Sequence, residues 1–161
     1  LDEAAAWALA GGWVDITVST TPELIAAGDI PAAAALRRLI EAGAPPTQIT
    51  LSSDAGGSLP LYRDGELLGL TAASPAVMMQ LLVDIERSDP DLFALALAAM
   101  TRNPAAALKL PDRGVLATGG RADLVLADRE TGLLRRVMGR GQWLVRDGQC
   151  RIPGIGYEQS S

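Results

Sequence analysis

Histidine is absent from the 161 residues of this chain. It is the commonest metal ligand and the usual general base near neutral pH. Its absence argues against a self-contained metallohydrolase or a Ser-His-Asp enzyme within these residues. Cysteine is almost absent too: the single Cys150 excludes an internal disulfide and fits a reducing, cytoplasmic setting. Aromatic residues amount to 4%, which leaves the core to Ala, Leu, Val and Ile. Basic side chains are outnumbered, 14 against 19, for a net charge of −5. A chain this acidic has no electrostatic footprint for nucleic acid or an anionic membrane, so neither is expected as a partner. No apolar run approaches a membrane span, and no signal-peptide pattern leads the chain. An initiating methionine is missing as well: residues 1–10 read as the tail of something longer, beginning in mid-helix.

What is present is globular. Hydrophobic residues make up 48% and charged residues 20%, enough to fill a core, and the length suits one domain or one plus a small appendage. Ala4, Ala5, Trp7 and Ala8 form one face of a helix that Gly11-Gly12 stops. Residues 13–20 (WVDITVST) are rich in β-branched side chains and read as a strand. Pro31 suits a first helical turn, and Ala33, Leu36 and Ile40 carry helical spacing up to Gly43. Residues 48–53 (QITLSS) form a second strand. Short apolar strands alternating with helices imply βα units and parallel pairing.

A hairpin is expected over 59–70, around the turn signal Asp64-Gly65. Ser74-Pro75, Asp89-Pro90 and Asn103-Pro104 each open a helix. Val77, Met78, Leu81, Leu82 and Ile85 mark the buried face of the first, and Leu92, Phe93, Leu97 and Met100 that of the second. From Pro111 the texture turns glycine-rich and strand-like, with strands expected at 122–127, 134–138, 142–145 and 149–152 and a turn at Asp147-Gly148. The division is therefore an α/β part at 1–110, a small β part at 111–152 and a tail at 153–161. Two parallel strands are no independent fold, because parallel sheets have several strands and cover on both faces. The α/β part is expected to be a piece of a larger sheet or barrel, with its other strands supplied by upstream sequence or a partner.

Asp54 is the best chemical candidate. It follows a strand directly and opens the loop Asp54-Ala55-Gly56-Gly57-Ser58. In a β/α barrel, reactive groups sit at the C-terminal ends of strands. An aspartate there offers a hard oxygen to a metal or accepts a proton from an activated water. The plainer alternative is a turn aspartate bonding nearby backbone N–H groups, and spacing alone favours it. Gly56, Gly57 and Ser58 could bring N–H groups and a hydroxyl to an anionic substrate. Asp15 lies early in its strand and reads as structural. Ser52 and Ser53 have no histidine partner, Cys150 reads as an inert, partly buried thiol, and GGRADLVLAD lacks the ending of a phosphate loop.

Four stretches together, GGWVDITVST, ITLSSDAGGSLP, LKLPDRGVLATGGRADLVLAD and VMGRGQWLVRDGQC, resemble in order and spacing the C-terminal part of the metallo-type isoaspartyl (β-aspartyl) dipeptidases of the amidohydrolase superfamily. The resemblance implies a fold class: the C-terminal portion of a (β/α)8 TIM-type barrel, followed by strands of a small β-sandwich. It implies a binuclear zinc centre, hydrolysis of β-aspartyl dipeptides, and a homo-oligomer. Asp54 matches the family's aspartate after the eighth strand, which lies in the metal shell and carries the proton to the leaving amine. Ser58, four residues on, matches the serine that helps hold the substrate carboxylate, with Gly57 beside it. The family's histidines, bridging lysine and substrate-clamping arginines lie upstream and have no counterpart here, so a missing N-terminal barrel portion is an expected partner. Two other readings stay open: a non-catalytic scaffold or assembly fragment in which Asp54 is only a turn residue, and another amidohydrolase, dihydroorotase-like or D-aminoacylase-like.

Overall fold

The computed structural model describes residues 1–63 and 65–151. Asp64, in the expected hairpin turn, and residues 152–161, with the expected tail and the end of the last expected strand, lie outside the described residues. The architecture is mixed α/β. Helix α1 (Asp2–Leu9) leads to strand β1 (Val14–Thr17), then helices α2 (Pro22–Ala26) and α3 (Ala32–Glu41). A 3-10 turn at Pro46–Gln48 opens β2 (Ile49–Ser52). A hairpin of β3 (Ser58–Arg63) and β4 (Glu66–Ala72) follows, then α4 (Val77–Ser88), α5 (Pro90–Met100) and α6 (Arg102–Ala107). The described residues close with β5 (Leu124–Ala127), β6 (Leu134–Gly139), β7 (Gln142–Arg146) and β8 (Gln149–Cys150).

β1 and β2 pair in parallel, in register from Val14 opposite Ile49 to Thr17 opposite Ser52. Alternation divides this pair into two faces. Ile16, Ile49 and Leu51 turn into a core shared with Leu36 and Leu39 of α3, Ile85 of α4, and Leu92, Ala96 and Ala99 of α5. Asp15, Thr17, Thr50 and Ser52 occupy the other face. There the Asp15 carboxylate accepts hydroxyl hydrogen bonds from Thr50, at 2.6 Å, and from Ser52. Asn103 of α6, 2% exposed, holds the start of β2: its amide donates to the carbonyls of Pro46 and Ile49, both at 2.7 Å.

Several elements differ from the sequence reading for local reasons. The first strand stops at Thr17, and a short helix not expected from the sequence follows, capped by the Thr21 hydroxyl, which accepts from the Leu24 N–H. The core face of α1 is lined by small residues, Ala5 and Ala8, and that of α5 by Ala96 and Ala99 beside Leu92; the small residues let helices approach. Trp7 and Leu97, assigned to those faces, are exposed. Trp7 instead covers Gly12 and donates its indole N–H to the Trp13 carbonyl at 3.2 Å. Cys150 is exposed rather than partly buried, because β8 is a two-residue edge strand.

The last four strands form one antiparallel sheet in chain order. It meets α4 at the turn between β5 and β6, where Gly132 lies against Met79 and Val83, Arg87 donates to the Glu130 carbonyl, and Arg129 pairs with Glu86. Asp128 organises that turn. It accepts from the Thr131 hydroxyl and from the N–H groups of Thr131 and Glu130, and it faces Arg135. These bonds, the Thr131 hydroxyl foremost, hold the Asp128 carboxyl below the usual carboxylate range. A lowered carboxylate stabilises the folded turn above its unfolded pKa, and the contribution is lost as pH falls through the lowered folded value. The protection factor of the Thr131 amide, its exchange rate taken relative to the intrinsic base-catalysed rate at each pH, is therefore expected to hold steady from about pH 6 to 8 and to fall only on acidification below the usual aspartate range; a fall between about pH 6 and 8, outside that range, would contradict it.

Among the described residues, no helix is long and apolar enough to cross a membrane.

Candidate functional site

The loop from Ser53 to Ser58 leaves the C-terminal end of the parallel pair and runs into β3. Pairing continues one step past the strands, with the Val18 N–H donating to the Ser52 carbonyl at 2.7 Å. The Ser19 hydroxyl then donates to the Ser53 carbonyl, and the Ser53 hydroxyl accepts from the Ala55 N–H at 3.2 Å. Asp54 comes next, in the left-handed region with φ +50. Aspartate tolerates that region better than most non-glycine residues. Its carbonyl accepts from the Gly57 N–H at 2.8 Å.

Two further bonds fasten the loop to the residue after the hairpin: the Gly56 N–H donates to the Ala73 carbonyl at 3.1 Å, and the Ala73 N–H to the Gly57 carbonyl at 2.8 Å. Both glycine N–H groups are thus engaged inside the protein, which corrects the expectation that they are free to form an anion cradle. Gly57 matters for another reason. A Cβ built on it would lie 2.5 Å from Asp54 Oδ2 and 2.8 Å from the Asp54 carbonyl oxygen, so only glycine lets the chain pass so close to the carboxylate. Asp54 and Ser58 are both exposed. Ser58 opens β3, opposite Ala72.

This arrangement offers an exposed carboxylate on a backbone pinned from both sides, with a serine hydroxyl four residues on. A carboxylate so held can donate a hard oxygen to a metal or accept and release a proton. It does not complete a metal centre: no group of three or more His, Cys, Asp or Glu side chains gathers among the described residues. A metal held here needs most of its ligands from elsewhere. Two surface clefts lie apart from the loop, one lined by Leu1, Asp2, Ile30, Arg38 and Glu41, the other by Arg37, Ile40, Glu41, Asp91, Leu92 and Leu95. Neither contains a residue of 53–58. The Ser19 contact had no sequence signal beyond a serine in a β-branched run.

Known proteins resemble most of this chain in fold. The beta-aspartyl dipeptidase of Fervidobacterium islandicum AW-1, in complex with a beta-Asp-Leu dipeptide, superposes with a TM-score of 0.74 at 29% identity, over 96% of this chain and 39% of that one. A second structure of beta-aspartyl dipeptidase from the same organism gives a TM-score of 0.72 at 24% identity, over 96% of this chain and 37% of that one, a likeness of fold alone. By sequence, 58 residues are 43% identical to the alpha-D-ribose 1-methylphosphonate 5-triphosphate diphosphatase of Escherichia coli (strain K12), covering 35% of this chain and 15% of that protein. The chain thus spans well under half the length of these relatives. The pattern of the amidohydrolase family matches residues 22–144, most of the chain. The chain belongs to the amidohydrolase family.

Proposed function

We propose that this chain is the C-terminal part of a zinc-dependent isoaspartyl dipeptidase that hydrolyses β-aspartyl dipeptides. The observation that carries the reading is the likeness to a beta-aspartyl dipeptidase bound to beta-Asp-Leu, at 29% identity over 96% of the chain. In this reading β1 and β2 are the last two strands of a (β/α)8 barrel, residues 111–152 are part of a small β-sandwich, and an upstream portion contributes the remaining strands. The polar face of the β1–β2 pair fits that placement, since Asp15, Thr17, Thr50 and Ser52 would line a barrel interior.

Asp54 is the metal-facing and catalytic residue. Asp54, with histidines and a lysine from the upstream portion, would hold zinc, which when bound would supply a water whose pKa lies near about 7. The Asp54 carboxylate takes a proton as water attacks the isopeptide carbonyl. It then gives that proton to the departing amine, so that one group serves as base and then acid. The Ser58 hydroxyl donates to the substrate carboxylate, and Gly57 keeps the chain close without crowding Asp54. The enzyme works as a cytoplasmic homo-oligomer.

The experiment compares two proteins. The 161-residue chain alone is expected to bind no stoichiometric zinc and to leave β-Asp-Leu intact. The same residues joined to the upstream barrel portion are expected to bind zinc and turn the dipeptide over. Zinc content by atomic absorption and release of free leucine read both. Stoichiometric zinc with turnover in the short chain sinks the division of ligands, and turnover absent from the zinc-loaded long protein sinks the dipeptidase reading.

A further inference from the structure

Two polar side chains among the described residues are buried, Ser19 at 8% exposure and Asn103 at 2%. Both donate to the backbone of the same strand segment, at opposite ends. Asn103 holds the start of β2. Ser19 holds the residue just beyond its end, donating from its hydroxyl to the Ser53 carbonyl across 34 positions of sequence. A buried hydroxyl is kept where it has a partner, and losing it leaves the carbonyl unsatisfied.

The peptide unit that Ser19 grips is the one whose nitrogen belongs to Asp54. The next peptide unit is also held, because the Asp54 carbonyl accepts from the Gly57 N–H at 2.8 Å. With the planes on both sides of its Cα fixed, Asp54 is kept at φ +50. A non-glycine residue stays in that region only while its surroundings over-determine it. Released on one side, the residue is free to return to an ordinary backbone well, and its Cβ then points elsewhere.

We propose that Ser19 is a positioning residue: by gripping the Ser53 peptide it holds Asp54 in the left-handed conformation and so aims the Asp54 carboxylate. The consequence for turnover rests on the reading of Asp54 as the proton carrier of a β-aspartyl dipeptidase. The consequence for the backbone does not.

The test uses the zinc-loaded enzyme that contains these residues and the upstream barrel portion, with Ser19→Ala, Ser19→Thr and Asn103→Ala variants. kcat and KM for β-Asp-Leu are measured per bound metal, beside Tm. Ser19→Ala is expected to lower kcat about tenfold with KM changed less than about twofold, and Ser19→Thr, which keeps the hydroxyl, to restore most of kcat. Asn103→Ala removes the other buried grip on the same strand. It is expected to lower Tm at least as far as Ser19→Ala while kcat per loaded site is retained. A crystal structure of the Ser19→Ala enzyme is expected to show Asp54 outside the left-handed region. Unchanged kcat in Ser19→Ala, a kcat loss in Asn103→Ala that parallels its Tm loss, or an unmoved Asp54 backbone overturns the proposal. If Asp54→Asn proves fully active, the dipeptidase mechanism fails on its own, and the crystallographic φ of Asp54 still decides what Ser19 does.

Discussion

Asp54→Asn, in the enzyme that carries these residues with their upstream portion, is expected to lower kcat for β-Asp-Leu by about 10³-fold, the middle of the range for removing a general acid–base group. That corresponds to about 4 kcal/mol of transition-state stabilisation. Asparagine has nearly the size of aspartate and tolerates the left-handed region, so the loop keeps its shape and the φ of +50 is retained. What it loses is the ability to take a proton and give it back. KM is expected to change little, because the Ser58 hydroxyl stays in place. Zinc content is expected to stay near that of the parent, since the upstream ligands are untouched and the amide oxygen still faces the metal. Steady-state kinetics with metal analysis reads all three quantities. kcat within about threefold of the parent would return Asp54 to the plainer role of a turn residue, because a general base contributes at least about 10²-fold.

The parts of this molecule visible in the sequence are those whose physics is local. Glycine after residue 10, proline at 31, 75, 90 and 104, and β-branched runs at 13–18 and 49–52 act over a few residues, and apart from α2 the elements fall within a few residues of where they point, α4 starting two residues after Pro75 and α6 two before Pro104. The antiparallel character of the last four strands follows from short loops at Gly132, Gly141 and Gly148. Faces were harder. Trp7 and Leu97 keep helical spacing with buried neighbours, yet the buried stripe of α1 is made of alanines and that of α5 of Leu92 with two alanines, Ala96 and Ala99; pattern reading undervalues alanine because it suits either side. The residue type of Cys150 points to partial burial, and its place on β8 leaves it exposed. At the site, Asp54 was visible from its place after a strand. Its left-handed backbone, the closure of its loop onto Ala73 and the Ser19 contact were not, since the closure joins groups 16 and 17 positions apart and the Ser19 contact, which grips the peptide before Asp54, joins groups 34 apart. Sequence order marks where chemistry emerges, and the contacts that hold it still are long-range.

Gly57→Ala separates that holding from the chemistry. Here the carboxylate remains but is displaced: a Cβ at residue 57 would stand 2.5 Å from Asp54 Oδ2 and 2.8 Å from the Asp54 carbonyl oxygen. The first clash can be relieved by rotating the side chain, which takes the oxygen off its line. The second is with backbone, and relieving it stretches the bond from the Gly57 N–H that pins Asp54. A shift on the order of 1 Å at a reacting group costs about 10²-fold, so kcat is expected to fall by about that factor. Gly56→Ala makes the opposite comparison. Its Cβ would enter open space, but its backbone at φ +85 is one that alanine adopts only under strain. That substitution is expected to cost about 1 kcal/mol of stability and to spare the Asp54 carboxylate. Thermal melts beside kcat measurements on the two variants give the contrast: adjacent glycines, one whose loss is read in turnover and one whose loss is read in Tm. A Gly57→Ala enzyme with full kcat would mean that the Asp54 carboxylate reaches its working position by a route that does not pass Gly57, and the close approach would then have no part in aiming it.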